Sequence, residues 1–411
     1  MNIDRRTALA ILSSARLAPL AMAQSRASAG PELEHPSLGN LFPQIDAYAR
    51  ALQPRYSFLQ AQFTDLEHWR TVARAAYTDA LSYHPPQCPL QGRTIDRQAH
   101  NGYVREEISF HTTPFTEVPA TLLIPEKQLR SRAAIIALHD HGGFYYSGRS
   151  KLLENESEPK RLTDFRQQLY DGAAFAADYA RAGYVVLTID AFYFGDRRLQ
   201  PASLPEAGTK ALDGLARDSA AYIDAYNRLA GSYEHLTAKT LFLSGATWPG
   251  IITWDDKRSV EYLISRPEVN PNRIGCIGLS LGGLRAGHLA GLDPRIKSTV
   301  VCCFMSTTPP MLRNDVEHHT WMLYTPRAAE ILDLPDLASL TAPNWLLVQY
   351  GKRDALFPAE GQTASAERLS AIFHKAGVPE HFRPSFWDVP HSFPKKMQEE
   401  ALEWFGQTLN S

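Results

Sequence analysis

Residues 278–282 form a Gly-x-Ser-x-Gly motif, in which Gly278 and Gly282 lie two positions on either side of Ser280. The motif follows the apolar run 273–279 and precedes a stretch with helical periodicity, so it occupies a turn between a strand and a helix. In that setting the serine projects at the N-terminus of a helix, where the helix dipole favours negative charge. The pattern predicts that Ser280 is a nucleophile.

A serine hydroxyl becomes an effective nucleophile only when a histidine removes its proton and a carboxylate orients that histidine. Where the serine lies in such a turn, the chain order is serine, acid, histidine. Asp354 follows the strand-like run 345–350, and His391 follows the run 382–389. Asp388 is a second candidate for the acid, but it lies only three residues before His391. The order and the positions predict that Asp354 and His391 complete a catalytic triad.

The loop after the apolar run 133–138 has the sequence His-Asp-His-Gly-Gly over residues 139–143. Paired glycines can turn backbone N–H groups towards a substrate, so we expect the N–H groups of Gly143 and Leu281 to form an oxyanion hole. The alternative is that the polar residues of this loop bind a metal ion. Neighbouring side chains of an extended backbone point in opposite directions, however, and no other His/Asp cluster completes such a site. We therefore expect no metal and no cofactor.

The candidate residues in these loops can meet only if the strands that precede them end at the same edge of a sheet. Six short runs are almost continuously apolar and alternate with amphipathic stretches: 133–138, 184–189, 273–279, 296–304, 345–350 and 382–389. Strands buried on both faces have this composition, so the pattern predicts an α/β protein with a mostly parallel sheet covered by helices. Ligands bind at the carboxyl ends of such strands. Two earlier runs, 104–111 and 118–124, predict antiparallel opening strands, and we expect a helical segment over residues 24–100 before the main domain.

Length, net charge and cysteine pattern limit the class of partner that this chain can have. The chain has 411 residues, enough for two or three domains or for one large domain with insertions. Its 42 basic and 44 acidic residues give a net charge of −2, without the basic excess typical of nucleic-acid-binding proteins. Four cysteines without Cys-x-x-Cys spacing indicate no essential disulfide. We expect a small-molecule substrate, no nucleic acid and no membrane span; nothing in the sequence indicates an oligomeric state.

With these parts in this order, residues 101–411 resemble the α/β-hydrolase superfamily. The loop 139–143, the Asp-Ala-Phe-Tyr-Phe-Gly-Asp-Arg segment at 190–197 and the Gly-Leu-Ser-Leu-Gly-Gly elbow are similar to those of bacterial esterases of the dienelactone-hydrolase and acetyl-xylan-esterase type. Dienelactone hydrolases proper use a cysteine nucleophile, whereas this chain has Ser280. The resemblance therefore implies a serine carboxylesterase acting on a small or carbohydrate-linked ester. The alternatives are a peptidase or amidase with the same triad and a non-catalytic binding protein.

Two long insertions follow strand ends, near residues 197–254 and 305–340. Insertions at this edge of a sheet lie over the active site and often form its lid. Trp248 and Trp321 lie in these insertions and Tyr145 follows the loop 139–143; all three are candidates for substrate binding. Packing inside the insertions is the alternative for each of them.

The N-terminus has the features of an export signal. Arg5 and Arg6 precede a modestly apolar stretch and an Ala-Met-Ala sequence that ends at Ala23. Residues 1–23 resemble a twin-arginine signal, which implies a periplasmic or secreted protein. The alternative is an amphipathic N-terminal helix of a cytoplasmic protein.

Overall fold

The computed structural model describes residues 38–127, 129–314 and 316–410. The chain divides into two compact units, residues 1–42 and 43–411. Only residues 38–42 of the first unit are described, and the sheet and the candidate site belong to the second. The predicted export signal, residues 1–23, lies outside the described residues.

Nine strands form one sheet in the described part of the chain. They are β1 (Arg93–His100), β2 (Tyr103–Thr113), β3 (Thr116–Pro125), β4 (Ala134–Leu138), β5 (Val185–Ile189), β6 (Ile274–Leu279), β7 (Ile296–Cys302), β8 (Trp345–Gly351) and β9 (Phe382–Trp387). Their spatial order is β1-β2-β3-β5-β4-β6-β7-β8-β9. Strands β1, β2, β3 and β5 pair antiparallel in succession, and all pairs among β4 to β9 are parallel. The mostly parallel sheet predicted from the sequence is confirmed.

One strand lies where the sequence predicted helix. Arg93–His100 falls within the segment 24–100, but it forms the edge strand β1 and pairs with β2. Seven of its eight residues are exposed, so this strand is held by backbone hydrogen bonds to β2 and not by burial of apolar side chains. The helical part of this segment ends at Ala80.

Helices connect and flank the strands. They are α1 (Phe42–Ala51), α2 (Leu66–Ala80), α3 (Lys160–Tyr170), α4 (Phe175–Arg181), α5 (Glu206–Thr209), α6 (Ala220–Leu243), α7 (Trp248–Ser265), α8 (Leu281–Leu292), α9 (Thr308–Asn314), α10 (Ala328–Ile331), α11 (Leu334–Ser339), α12 (Ala359–Lys375) and α13 (Lys395–Leu409). None of the described helices is long and apolar enough to cross a membrane. Because α8 begins immediately after Ser280, the strand, turn and helix predicted around the serine are present.

Apolar residues cover both faces of the sheet. Ile136 belongs to one buried cluster and Ile135 to another, since successive side chains of a strand point to opposite faces. A third cluster joins Phe58 and Trp69 of the N-terminal region to Leu337 of α11. The sheet is therefore packed on both faces, and its carboxyl edge carries the loops that follow β4, β6, β8 and β9.

Candidate active site

Ser280 occupies a sharp, strained turn between β6 and α8. Its backbone has φ 58° and ψ −121°, a conformation that residues with a side chain rarely adopt. The flanking glycines explain how the turn closes. A Cβ on Gly278 would lie 2.3 Å from the carbonyl carbon of Gly282, and a Cβ on Gly282 would lie 2.1 Å from the carbonyl oxygen of Leu138. Glycine is therefore required at both positions, because β4, β6 and α8 pass too close to one another there for a side chain.

The predicted acid and base lie in contact. His391 Nδ1 donates a hydrogen bond of 2.7 Å to Oδ2 of Asp354, whose side chain is fully buried. Oδ1 of the same carboxylate accepts the N–H of Leu356 at 2.9 Å. The reserve candidate Asp388 instead pairs with Arg353 at the surface. Asp354 is therefore the carboxylate that orients the imidazole.

The environment of His391 favours its protonated form. Burial alone would lower the pKa of this imidazole, because it removes water from the charged form. The negative charge and the hydrogen bond of Asp354 outweigh burial and raise the pKa from 6.5 to about 9. The imidazole side chain is only 18% exposed, so this stabilisation acts with little screening. The pair can hold a proton that is taken from a neighbouring hydroxyl.

Contacts at the end of β7 bring the serine and histidine loops together. The N–H of Ser280 donates to the carbonyl of Cys302 at 3.0 Å. The next residue, Cys303, places its Sγ 3.4 Å from the carbonyl oxygen of Ser392, which follows His391. The two loops therefore meet across the same strand end. The nucleophile and the base predicted from the sequence lie at one edge of the sheet.

The N-terminus of α8 supplies N–H donors at this edge. The first N–H groups of a helix, here those of Leu281 and Gly282, have no partner within the helix. The prediction for Gly143 is not supported in the same way, because its N–H donates to Nδ1 of His141 at 3.0 Å. No backbone hydrogen bond from the N–H of His141 is found among the described residues. The loop 139–143 therefore offers that N–H more readily than the N–H of Gly143.

The buried side chain of Lys151, which the sequence did not indicate, supports the loop 139–143. Lys151 Nζ donates to the carbonyl oxygens of Asp140 and His141, at 2.9 and 3.0 Å, and lies 3.2 Å from the Asp140 carboxylate. Tyr170 donates to the same carboxylate. No motif marks Lys151, which lies in a short 3₁₀ turn.

Among the described residues, no cluster of three or more His, Cys, Asp or Glu side chains is arranged to hold a metal ion.

Two of the three predicted substrate-binding aromatics belong to the core. Tyr145 is 5% exposed and donates its hydroxyl to Glu234, and Trp248 is 2% exposed and packs against Tyr193. The structure does not support a contact between either ring and substrate. Trp321 is 37% exposed and lies near Phe242. Its role in binding stays a prediction.

Comparisons with known proteins identify relatives of the chain. A model of the dienelactone hydrolase family matches residues 171–404, more than half of the chain, and this range includes all three predicted triad residues. The protein named "Putative hydrolase YtaP" from Bacillus subtilis (strain 168) is 27% identical over 326 residues, which cover 79% of this chain and 95% of that protein.

Solved structures share the fold. The "putative acetyl xylan esterase (BF1801)" from Bacteroides fragilis NCTC 9343 has a TM-score of 0.63 and 17% identity, over 86% of this chain and 82% of its own. The glucuronoyl esterase from Solibacter usitatus has a TM-score of 0.57 and 14% identity, over 87% and 98%. These likenesses confirm the predicted α/β-hydrolase fold. The chain belongs to the dienelactone hydrolase family, a family of esterase-type hydrolases.

Proposed function

We propose that the protein is a serine carboxylesterase whose triad is Ser280, His391 and Asp354. The observation that carries the proposal is the 2.7 Å bond between His391 and Asp354 at the sheet edge where Ser280 occupies its strained turn. Ser280 Oγ attacks the ester carbonyl carbon while His391 Nε2 takes the hydroxyl proton. The tetrahedral intermediate then collapses, and His391 gives that proton to the leaving alkoxide. Water, deprotonated by His391, then attacks the acyl carbon; the bond from that carbon to Ser280 Oγ breaks, His391 returns the proton to Oγ, and the acid is released.

Negative charge on the carbonyl oxygen requires donors that are already in place. Leu281 supplies one N–H from the start of α8. We assign the second donor to the loop 139–143, and within it to the N–H of His141, because the N–H of Gly143 is used by the His141 side chain. Gly143 serves instead to shape the loop, since its φ of 64° favours glycine.

The proposed substrate is a small or carbohydrate-linked ester. Two observations support this class: the named structural neighbours include acetyl xylan and glucuronoyl esterases, and Trp321 leaves part of its ring exposed in the second insertion. An exposed indole can stack on a sugar ring or an aryl group. A panel of acetylated sugars, aryl esters and glucuronoyl methyl esters, assayed with wild type and Trp321→Ala, tests the class. A rise in KM for the preferred ester is expected, and an unchanged KM removes Trp321 from the site.

Hydrolysis of an aryl acetate and labelling by a fluorophosphonate test the triad. Ser280→Ala is expected to lower kcat by roughly 10⁴- to 10⁶-fold with little change in substrate affinity, and to abolish labelling. His391→Ala is expected to be about as severe. Ser370→Ala, which removes an exposed hydroxyl on α12, is the matched control and should retain full activity. A Ser280→Ala variant with a tenth of wild-type activity contradicts the proposal, and cleavage of a short peptide in preference to esters points to a peptidase.

We propose further that residues 1–23 are a twin-arginine export signal. The export receptor recognises the guanidinium pair rather than charge alone, so Arg5→Lys combined with Arg6→Lys should leave the enzyme active but retain it in the cytoplasm. Cell fractionation and N-terminal sequencing of the exported protein measure this. Export that is unaffected by the double substitution contradicts the proposal.

A further inference from the structure

Glu234 is a buried carboxylate that connects both insertions to the loop 139–143. It lies in the middle of α6, within the first insertion, and is 8% exposed. Its Oε1 accepts hydrogen bonds from Nε2 of His141 at 2.8 Å, from the hydroxyl of Tyr145 at 2.9 Å and from Oγ1 of Thr320 at 2.8 Å. The first two donors lie in and just beyond the loop, and Thr320 lies in the second insertion. Three separate segments therefore meet at one oxygen.

The charge state of Glu234 determines where its neighbour carries a proton. Burial alone would raise the pKa of Glu234, but the hydrogen bond from His141, together with those from Thr320 and Tyr145, holds the pKa below its ordinary value. An ionised carboxylate can only accept hydrogen bonds, so Nε2 of His141 carries the proton. In a neutral imidazole Nδ1 is then left with a lone pair.

That lone pair accepts the N–H of Gly143 at 3.0 Å. The bond closes a turn in which Gly142 and Gly143 both have positive φ, 53° and 64°. On the other side of the loop, Lys151 holds the carbonyl oxygens of Asp140 and His141. The direction of the N–H groups in this loop therefore depends on the His141 ring, and the ring depends on Glu234.

We propose that Glu234 is a positioning residue for the oxyanion loop, acting through the tautomer and orientation of His141. The inference rests on the proposed esterase function, because only that function gives the loop a transition-state role. In this role Glu234 does not touch the reacting atoms. A purely structural role, in which it only anchors α6, is the alternative.

The steady-state kinetics of aryl acetate hydrolysis separate the two roles. Misplacing a transition-state donor by about 1 Å can cost about 10²-fold, so Glu234→Ala is expected to lower kcat by about 10- to 100-fold. KM should stay within about threefold, because the lost interaction acts in the transition state. Glu234→Gln keeps an acceptor oxygen and should recover part of the loss. Asp224→Asn, which removes a carboxylate from the same helix at its ion pair with Arg161, is the matched control and should leave kcat unchanged.

A spectroscopic measurement tests the inference without relying on activity. In protein labelled with ¹⁵N-histidine, the His141 ring resonances, assigned by their loss in His141→Gln, should show the Nε2–H tautomer in wild type. Glu234→Ala should shift them towards a mixture of tautomers, and Asp224→Asn should not. A wild-type Nδ1–H tautomer, or a Glu234→Ala variant with unchanged tautomer and unchanged kcat, overturns the proposal. If wild type hydrolyses no ester, the proposed function fails, and the tautomer comparison still decides whether Glu234 controls His141.

Discussion

Replacing Asp354 with Asn tests how the buried carboxylate activates His391. The substitution keeps the size of the side chain, but it removes the charge and allows an amide N–H₂ to face Nδ1 of the imidazole. In wild type Nδ1 donates to Asp354 at 2.7 Å, so that Nε2 is free to take the serine proton. The Asn variant therefore loses electrostatic stabilisation and favours the wrong tautomer.

The magnitude follows from the pKa of His391. Asp354 and the surrounding groups raise this pKa from 6.5 to about 9. A difference of about 2.5 in pKa corresponds to about 3 kcal/mol in favour of the imidazolium, or about 10²-fold in the rate of a step that forms it. Loss of the correct tautomer adds to this, and the equivalent substitution in a serine-protease triad lowers kcat by about 10⁴. We expect a loss of about 10⁴-fold, of which roughly 10² is electrostatic.

The pH dependence of kcat/KM on an aryl acetate distinguishes the two contributions, because it reports the ionisation of the free enzyme. Wild-type activity should rise with pH as His391 loses its proton, with a midpoint near its pKa of about 9. Asp354→Asn removes the charge and the hydrogen bond that outweigh burial, so the midpoint should fall well below about 9. Asp388→Asn removes an exposed carboxylate three residues from the same histidine and should change neither quantity. A loss smaller than about tenfold, or an unmoved midpoint, would contradict this prediction.

Three further perturbations have definite expected results. Gly282→Ala should lower the free energy of unfolding by about 1–3 kcal/mol or more, since its Cβ would lie 2.1 Å from the Leu138 carbonyl oxygen. Gly406→Ala, whose Cβ would meet no atom within 4 Å, is the control and should not destabilise the fold. Urea unfolding of the two variants measures the difference. The pKa of His391 is higher in the folded protein, so its stabilisation is complete below pH 6.5 and is lost as pH rises through about 9; urea unfolding across this window should show a decrease that His391→Gln lacks. Treatment of the native protein with iodoacetamide should leave activity unchanged, because burial raises the pKa of Cys302 well above its ordinary value. Inactivation would indicate a reactive thiol.

The sequence predicted the strands that are buried on both faces, because a short, continuous apolar run is typical of a strand inside a parallel sheet. The run 273–279 corresponds to β6, in which every residue is buried. The same pattern is missing from β1, whose sequence from Arg93 to His100 is mainly polar and almost wholly exposed. Backbone pairing with β2 stabilises this strand, and backbone pairing leaves no hydrophobic pattern in a sequence.

The positions of the candidate site residues at the strand ends were also predictable, because topology limits where such residues can lie. Ser280, Asp354 and His391 each follow a parallel strand, so all three lie at the edge where those strands end. The aromatic residues Tyr145 and Trp248 have no such constraint. Whether an aromatic ring in an insertion turns inwards or towards a cleft depends on how the insertion packs, and both of these rings turn inwards.

Glu234 shows why the supporting groups of the site escape sequence analysis. Its three partners, His141, Tyr145 and Thr320, lie 93, 89 and 86 residues away along the chain. Ala230 and Ala238, one turn to either side of Glu234, are buried and place it on the inward face of the helix, but a carboxylate ordinarily faces water and the helix sequence does not show which donors would pair with it. The burial becomes favourable only after the loop and the second insertion bring three donors to it, since an unpaired buried carboxylate is strongly unfavourable. Residues of this kind are determined by the assembled fold, and the donors that surround a buried charge are the observation that identifies them.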